Sequence, residues 1–239
     1  MAEQNGKLSG GEMNSPFLKK WENIWYYHKW HIILGALAVV VLIFTLVQCS
    51  NNGKGNDGHY VYAGGHSVLS ETRRDIENTM SLFAVDSNGD GKLILAMGNY
   101  AIYTQEQINS YRDDERGHVA QMSYDNRKAF DQEILSGDAA ICFLSPELFE
   151  TVAKEGAFIP VSGYAVAVPK GAELVSYGGV AYGVRLSSLA VGAYPGLSSL
   201  PADTVLCVRT KSVFGRDEIY DANLEIVWKM LAAAPYVVE

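Results

Sequence analysis

The sequence predicts an α/β protein with one N-terminal transmembrane helix followed by a compact extracytoplasmic α/β domain. An uncharged apolar run occupies 32–47, and from residue 59 onward strand-like and helix-like segments alternate. The 239 residues suffice for one domain and a membrane segment. We therefore expect four parts: a cytoplasmic and interfacial segment at 1–31, a transmembrane helix at 32–49, a flexible tether at 50–58 and an extracytoplasmic α/β domain at 59–239.

The membrane prediction depends on the run IILGALAVVVLIFTLV and on the residues before it. No side chain between Trp30 and Gly53 is formally charged. With its immediate neighbours, the run would form a helix of about 30 Å, the hydrocarbon thickness of a bilayer. The flank WENIWYYHKWH combines Trp and Tyr with nearby lysines, which is typical of the cytoplasmic interface. This predicts a single-pass protein of the cell membrane with an extracellular C-terminal domain. The alternatives are a lipoprotein signal cleaved before Cys49 and an ordinary cleaved signal peptide.

Charge and cysteine content exclude some classes of partner and scaffold. The formal net charge is -8, and no stripe of Lys and Arg stands out, so we expect no nucleic-acid partner. Cys49, Cys142 and Cys207 are too few for a disulfide scaffold. Cys142 and Cys207 lie in apolar runs, where each is either a small buried hydrophobe or half of a disulfide.

The first half of the outer domain contains five predicted elements. HYVYAGG is predicted to be a strand that ends at glycines, and 67–83 a helix with apolar residues at helical intervals. KLILAMGNYAIY is predicted to be a strand or a strand pair. TQEQINSYRDDERG begins at a helix-capping threonine, and the helix SYDNRKAFDQEILSG is expected to end at Gly137.

The second half begins with the continuous apolar run AAICFLS, which is typical of a strand buried on both faces of a parallel sheet. In the next helix, Ser145 is the expected N-cap, Pro146 the first helical residue and Gly156 the stop. Three further strands are predicted in FIPVSGYAVAVP, GGVAYGVRL and TVLCVRT. The apolar stripe of NLEIVWKMLAAA predicts a C-terminal helix.

The segment DSNGDG is the most distinctive local motif. Asp86, Asn88 and Asp90 place oxygen-bearing side chains at alternate positions, as at the start of a calcium loop. Met97, however, stands where such a loop has its bidentate Glu. Asn-Gly and Asp-Gly are also turn signals between a helix and a strand. The sequence thus favours a turn and leaves calcium as the candidate cofactor.

Other local patterns have a structural alternative. Gly64 and Gly65 can bring backbone close to a ligand, with the next helix N-terminus ready for an anion, or they can form a plain turn. No phosphate-binding fingerprint is present. His59 and His66 are spaced to point in different directions, so no metal pair is predicted. Ser145 lacks a G-x-S-x-G setting and is explained by helix capping.

The segment FDQEILSGDAAICFLSPELFETVAKEGAFIPVSGYAVAVP orders a helix ending in Ser-Gly-Asp, a buried strand, a Pro-started helix and another strand. In this order it resembles extracellular solute-binding proteins of importers. The Trp-rich leader is similar to those of uncharacterised single-pass surface proteins of Gram-positive bacteria. The first resemblance implies two lobes around a small molecule, whereas the outer part has about 180 residues, the size of one domain. No binding residue is therefore carried over.

These observations predict a membrane-anchored extracytoplasmic binding or interaction module. Its partner would be a small-molecule ligand or a membrane protein. One alternative is an extracellular hydrolase with acid and base groups such as His118, Asp138 or Glu147. The other is a structural subunit of a membrane complex. Enzymatic activity is not predicted, because no catalytic constellation stands out in the sequence.

Overall fold

The computed structural model describes residues 26, 29–31, 33–35, 37–45, 56–137, 139–211 and 217–237. They belong to two units, Met1–Lys54 and Gly55–Glu239. The described residues of the first unit are helical. Most of the predicted interfacial segment and tether, including Cys49, lies outside the described residues.

The predicted transmembrane helix at 32–49 is corrected by the structure. Among the described residues, no helix is both long and apolar enough to cross a membrane. This part of the predicted fold is therefore wrong, and the extracellular location inferred from it stays a prediction.

The second unit confirms the predicted α/β domain. Its described residues form one six-stranded sheet in the order β2-β1-β3-β6-β5-β4. The strands are β1 (Gly58–Gly64), β2 (Leu95–Ala101), β3 (Ile141–Leu144), β4 (Leu174–Tyr177), β5 (Val180–Arg185) and β6 (Val205–Val208). β1 pairs in parallel with β2 and β3, whereas the β3–β6, β6–β5 and β5–β4 pairs are antiparallel.

Helices cover both faces of this sheet. The described α-helices of the unit are α1 (Ser70–Ser81), α2 (Gln105–Ser110), α3 (Asp113–Ser136), α4 (Pro146–Lys154) and α5 (Asp217–Leu231). α1 and α5 pack on the face that carries Tyr60 and Tyr62 of β1. α3 and α4 pack on the opposite face, which carries Val61 and Ala63. Side chains of β1 therefore alternate between two apolar cores, as the twofold period of a strand requires.

The structure differs from the predicted elements at three places. α3 continues through Gly117, where two separate segments were predicted, because a helical glycine costs only about 1 kcal/mol. FIPVSGYAVAVP forms no strand among the described residues. It contains a 3₁₀ turn at Val161–Gly163 and a single bridge from Phe158 to Arg209. The edge strand β4, for which no prediction was made, pairs with β5 through a Gly-Gly turn.

The two described cysteines face each other across the sheet. Cys142 of β3 and Cys207 of β6 are register partners, and both are buried free thiols. Cys207 Sγ donates to the carbonyl oxygen of Cys142 at 3.6 Å. Burial raises the pKa of Cys142 to about 12. Of the two alternatives left open by the sequence, the structure shows the pair of small buried residues.

Two buried charged side chains lie at the amino edge of the parallel strands. Asp57 is fully buried just before β1. Its Oδ1 accepts from the amide of Ser87 at 2.9 Å, and its Oδ2 accepts from the amide of Ile94 at 2.8 Å. Arg209 follows β6, is 2% exposed and donates to carbonyl oxygens at the end of α3. These residues hold the connections that enter and leave the sheet.

Candidate functional site

The chain reverses the direction of its connections between β1 and β3. From β1 it crosses through α1 to β2, and then through α3 to β3 on the other side of β1. In open α/β sheets, ligands bind outside the carboxyl ends of the strands at such a switch point. A cleft of about 270 Å³ lies at this place. Tyr62 of β1 and Arg127 of α3 line it. The rest of its wall comes from residues that follow β1, β2 and β3 and from those that precede β6, among them His66, Tyr103, Gln107, Ser145, Glu147 and Asp203.

Tyr62 is the most informative residue of the cleft. It is 1% exposed, and its ring packs in the core beneath α1 and α5. A Cβ atom on Gly64 would lie 2.9 Å from its hydroxyl oxygen, so this glycine makes room for the phenol. That hydroxyl oxygen is not among the buried atoms of the described residues that lack a partner, so it is accessible from the cleft. Burial, followed by the charge of Asp203, raises the pKa of Tyr62 to about 12, so the group remains a donor at neutral pH.

Ser145 occupies the predicted N-cap position of α4, but its side chain makes no capping hydrogen bond. Pro146, the first helical residue, has no amide hydrogen. The first-turn amides of Glu147 and Leu148 therefore receive no side-chain cap and keep their donor capacity. The carboxyl end of β3 thus presents a hydroxyl group and an uncapped helix N-terminus to the cleft.

The neighbouring helix α2 provides a contrast. The hydroxyl of Thr104 accepts from the amide of Gln107 at 3.2 Å, and Gln107 Oε1 accepts from the amide of Thr104 at 2.9 Å. This capping box confirms the predicted capping role of Thr104. Gln107 also donates to the carbonyl oxygen of Gly65 at 3.3 Å. A Cβ on Gly65 would lie 2.4 Å from Gln107 Nε2, so the close backbone approach at this glycine involves a protein side chain.

Both signs of charge line the cleft. Arg127 of α3 pairs with Asp131 at 2.8 Å and also borders the cleft. Glu147 and Asp203 are exposed carboxylates on the other elements of its wall. A second cleft of about 300 Å³ shares Tyr62 and His66 with the first. Its wall includes the start of α1, another helix whose N-cap residue makes no side-chain cap.

Comparison with known protein families, curated proteins and solved structures finds no significant match. The resemblance to solute-binding proteins therefore stays a prediction.

The predicted calcium residues form a compact turn. Asp86 accepts from the amides of Gly89 at 2.6 Å and Gly91 at 2.8 Å, and Asn88 Oδ1 accepts from the amide of Asp90 at 2.9 Å. Both glycines have positive φ, 69° and 78°, as such a turn requires. The described residues contain no group of three or more His, Cys, Asp or Glu that could hold a metal ion. The turn explains these contacts, and calcium binding stays a prediction.

The three residues considered for a hydrolase are not brought together. Glu147 lines the cleft, whereas His118 is exposed on α3 and does not line it. Asp138 lies outside the described residues. No sequence pattern pointed to Tyr62, Arg127 or Asp203 as site residues. They come from β1, α3 and the segment before β6, so no local motif joins them. The only signal in the sequence is their position near the ends of predicted elements.

Proposed function

We propose that the domain is a binding module that holds a small polar molecule in the cleft at the carboxyl edge of β1 and β3. The single observation that carries this proposal is the hydroxyl of Tyr62. It belongs to a residue that is 1% exposed, and it has no hydrogen-bond partner among the described residues. This hydroxyl oxygen is not among the buried atoms that lack a partner, so it reaches the open cleft and can donate a hydrogen bond to a molecule there. A ligand atom in the cleft supplies the acceptor.

The size and polarity of the cleft support a small ligand. About 270 Å³ is slightly below the usual range of small-molecule sites. Hydroxyl, amide and charged groups converge there, which suits a polar molecule better than an apolar one. The predicted resemblance to solute-binding proteins points to the same class of function and forms part of the proposal.

Binding is favoured over hydrolysis on one specific ground. A serine nucleophile needs a general base within hydrogen-bond reach. Ser145 and His66 line the same cleft, but no hydrogen bond joins them in the described structure. This observation supports the holding of a ligand over a serine nucleophile activated by His66.

The proposal is tested by thermal-shift screening of the full-length protein with amino acids, sugars, nucleosides and short peptides. A ligand at one hundred times its Kd stabilises the folded state by about 2.7 kcal/mol, which raises Tm by roughly 5–10 °C for a domain of this size. The affinity of any hit is then measured by calorimetry for the wild type and for Tyr62→Phe. Tyr124→Phe, a change at a tyrosine that is 60% exposed on α3, is the matched control.

We expect Tyr62→Phe to weaken binding about fivefold to tenfold, the effect of one hydrogen bond. Tyr124→Phe should leave the affinity unchanged. If no compound shifts Tm, or if the two variants bind a hit as tightly as the wild type, the cleft is not the binding site and the proposal fails.

A further inference from the structure

We propose that the free edge of β2 is a homodimer interface, at which β2 pairs antiparallel with β2 of a second copy of this chain. The proposal concerns a different surface from the binding cleft and does not depend on the binding function. It follows from three features of this edge strand: unpaired backbone groups, a sequence without edge protection, and an order of residues that is complementary to itself.

Half of the backbone groups of β2 face away from the sheet. β2 is an outermost strand, and β1 is its only strand partner among the described residues. The amide of Ile102 donates to the carbonyl oxygen of Gly64, so by alternation the even-numbered residues of β2 bond to β1. The amides and carbonyls of Leu95, Met97 and Asn99 therefore point outward, where the described residues provide no partner for them. Such an edge is a template for another strand.

The two edge strands of the sheet differ in their protection. Proteins protect exposed edge strands by making them short or by placing bulges, prolines or charged residues in them. β4 has four residues, and its pairing with β5 shifts register between Val175 and Ser176. β2 has seven residues, LAMGNYA, with no charged residue, proline or register shift. The edge of β4 is therefore blunted, whereas the edge of β2 is open to pairing.

Exposed apolar side chains continue this edge beyond the strand. Ile94 directly precedes β2 and is 41% exposed, and Leu93 before it is 39% exposed. A strand added alongside β2 covers side chains at this end as well as the backbone groups. Removal of this apolar surface from water favours the pairing.

β2 can pair with itself in a register that satisfies its outward backbone groups. In this register Met97 lies opposite Asn99 of the second copy, and Leu95 lies opposite Ala101 of the second copy. Each pair exchanges two backbone hydrogen bonds, and twofold symmetry repeats both pairs, which gives about eight bonds. The carbonyl oxygen of Ala101 already accepts from Asn126 at 2.9 Å and keeps a second lone pair for this contact. The strand is thus complementary to itself over its whole length.

The side chains fit the same register, which places Gly98 on the twofold axis. A Cβ atom on Gly98 would lie 2.9 Å from the ring of Tyr100, so this ring leans over the glycine. Tyr100 lies opposite Ala96 of the second copy, which places a large side chain next to a small one. Ile94 lies opposite Ile102 of the second copy, and apolar pairs of this kind stabilise a sheet. Ile102 also lines the binding cleft, so the second copy borders that site.

The pairing closes at two copies. A twofold axis uses the β2 edge of both chains, and the outermost strands of the joined sheet are then the two β4 strands. Because β4 is short and bulged, it does not continue the sheet. The fold therefore favours a dimer over a fibre.

Association is tested by sedimentation velocity on the full-length protein over about 1–100 μM. We expect the 26.1 kDa chain to form a dimer as its concentration rises. Ile94→Lys places an ammonium group against Ile102 of the second copy and should weaken dimerisation at least about tenfold. Leu174→Lys is the matched control, because Leu174 is a 50% exposed residue of β4, and it should leave dimerisation unchanged. Both residues are exposed, so both variants should keep the Tm of the wild type within a few degrees.

Two outcomes of this measurement would overturn the proposal. A protein that is monomeric at every concentration would leave the β2 edge to a strand of another protein. Association that both lysine variants retain equally would belong to another surface, such as the exposed apolar residues at 37–45.

The register is tested by disulfide crosslinking in a Cys49→Ser background, in which the two remaining cysteines are buried. Opposite residues that exchange no hydrogen bonds have Cα atoms about 4.5 Å apart, within the range of a disulfide. A mixture of the Ala96→Cys and Tyr100→Cys proteins should therefore form a linked dimer under a mild thiol oxidant. Either protein alone should form at least about fivefold less, because its two introduced thiols lie about 13 Å apart along the strands.

A second pair of variants guards against a folding defect caused by the loss of the Tyr100 ring. Ile94→Cys mixed with Ile102→Cys probes the same register at the end of the strand and should also crosslink only as a mixture. Equal yields from the mixtures and from the single proteins, or no linked dimer from either mixture, would overturn the proposed register and with it the interface.

Discussion

Changing Arg209 to Met tests how the end of α3 is held against the sheet. Arg209 is 2% exposed. Its Nη1 donates to the carbonyl oxygens of Glu133 at 2.9 Å and Ile134 at 2.7 Å, and its Nη2 donates to that of Gly137. These carbonyls end α3, where the partial negative charge of the helix favours a cation. Methionine keeps an unbranched apolar stem and removes every donor.

The expected loss of stability is about 3 kcal/mol. A hydrogen bond from a charged group contributes about 1.5–3 kcal/mol, so three of them contribute several kcal/mol. The desolvation of a buried guanidinium opposes this gain by several kcal/mol. The Nε of Arg209 has no partner among the described residues, and its burial reduces the net stabilisation further. The remaining loss of about 3 kcal/mol is of the size expected when buried carbonyl oxygens are left without a donor, which costs about 1–3 kcal/mol each.

The measurement is urea unfolding of the full-length protein followed by far-ultraviolet circular dichroism. A loss of 3 kcal/mol corresponds to a fall in Tm of roughly 6–12 °C for a domain of this size. Arg73→Met is the matched control, because the Arg73 side chain is 46% exposed and its ion pair with Glu77 contributes at most about 1 kcal/mol. If the free energy of unfolding of Arg209→Met lies within 1 kcal/mol of that of the wild type, the guanidinium does not hold the end of α3 as inferred.

Three further predictions concern the buried groups. Asp57→Asn should lower the free energy of unfolding in urea by about 2 kcal/mol, because an amide NH₂ replaces one oxygen that accepts from backbone amides. A variant as stable as the wild type would contradict this. In a Cys49→Ser background, Cys142 and Cys207 should not react with a thiol reagent until the protein unfolds, since burial raises the pKa of both; rapid stoichiometric labelling would show that they are accessible. Because the pKa of Tyr62 is raised to about 12, its contribution to stability is complete below about pH 10 and is lost as the pH rises toward 12. The free energy of unfolding, measured across this pH interval, should therefore fall more steeply for the wild type than for Tyr62→Phe. Parallel curves for the two proteins would count against the raised pKa.

The sequence predicts well those elements whose pattern is local. The apolar run that forms β3, the Pro-started helix α4 and the amphipathic helix α5 all appear near their predicted positions. β4 was missed because its four residues are half-exposed or exposed and form an edge, so they show no apolar run. Pro160 and Pro169 lack the amide hydrogens that a ladder needs, which explains why the segment between them is not a strand.

The candidate site was not predictable in the same way. Its position depends on the order of the strands, and strand order is a property of the whole fold. The pairing of β1 with both β2 and β3 places Tyr62 next to the ends of three elements. Ser145 illustrates the limit: its N-cap position was predicted, but the absence of its capping hydrogen bond became visible only in three dimensions.

The buried Arg209 and the proposed binding cleft lie at opposite edges of the sheet. Arg209 donates its amide to Ala140, just before β3, whereas Ser145 directly follows that strand. The four residues of β3 span about 13 Å, which exceeds the distance at which substitutions usually influence each other. Arg209→Met should lower stability by about 3 kcal/mol, and Ser145→Asp should raise it by about 0.5–1 kcal/mol.

The double variant should therefore be less stable than the wild type by about 2 kcal/mol, within about 0.5 kcal/mol of the sum. Under conditions where it is folded, Arg209→Met alone should bind the ligand as tightly as the wild type, because no group of the cleft depends on it. Urea unfolding of the four proteins and calorimetry of Arg209→Met check both statements. A deviation from additivity above 1 kcal/mol, or weaker binding by the folded Arg209→Met protein, would show that the amino edge helps to shape the cleft.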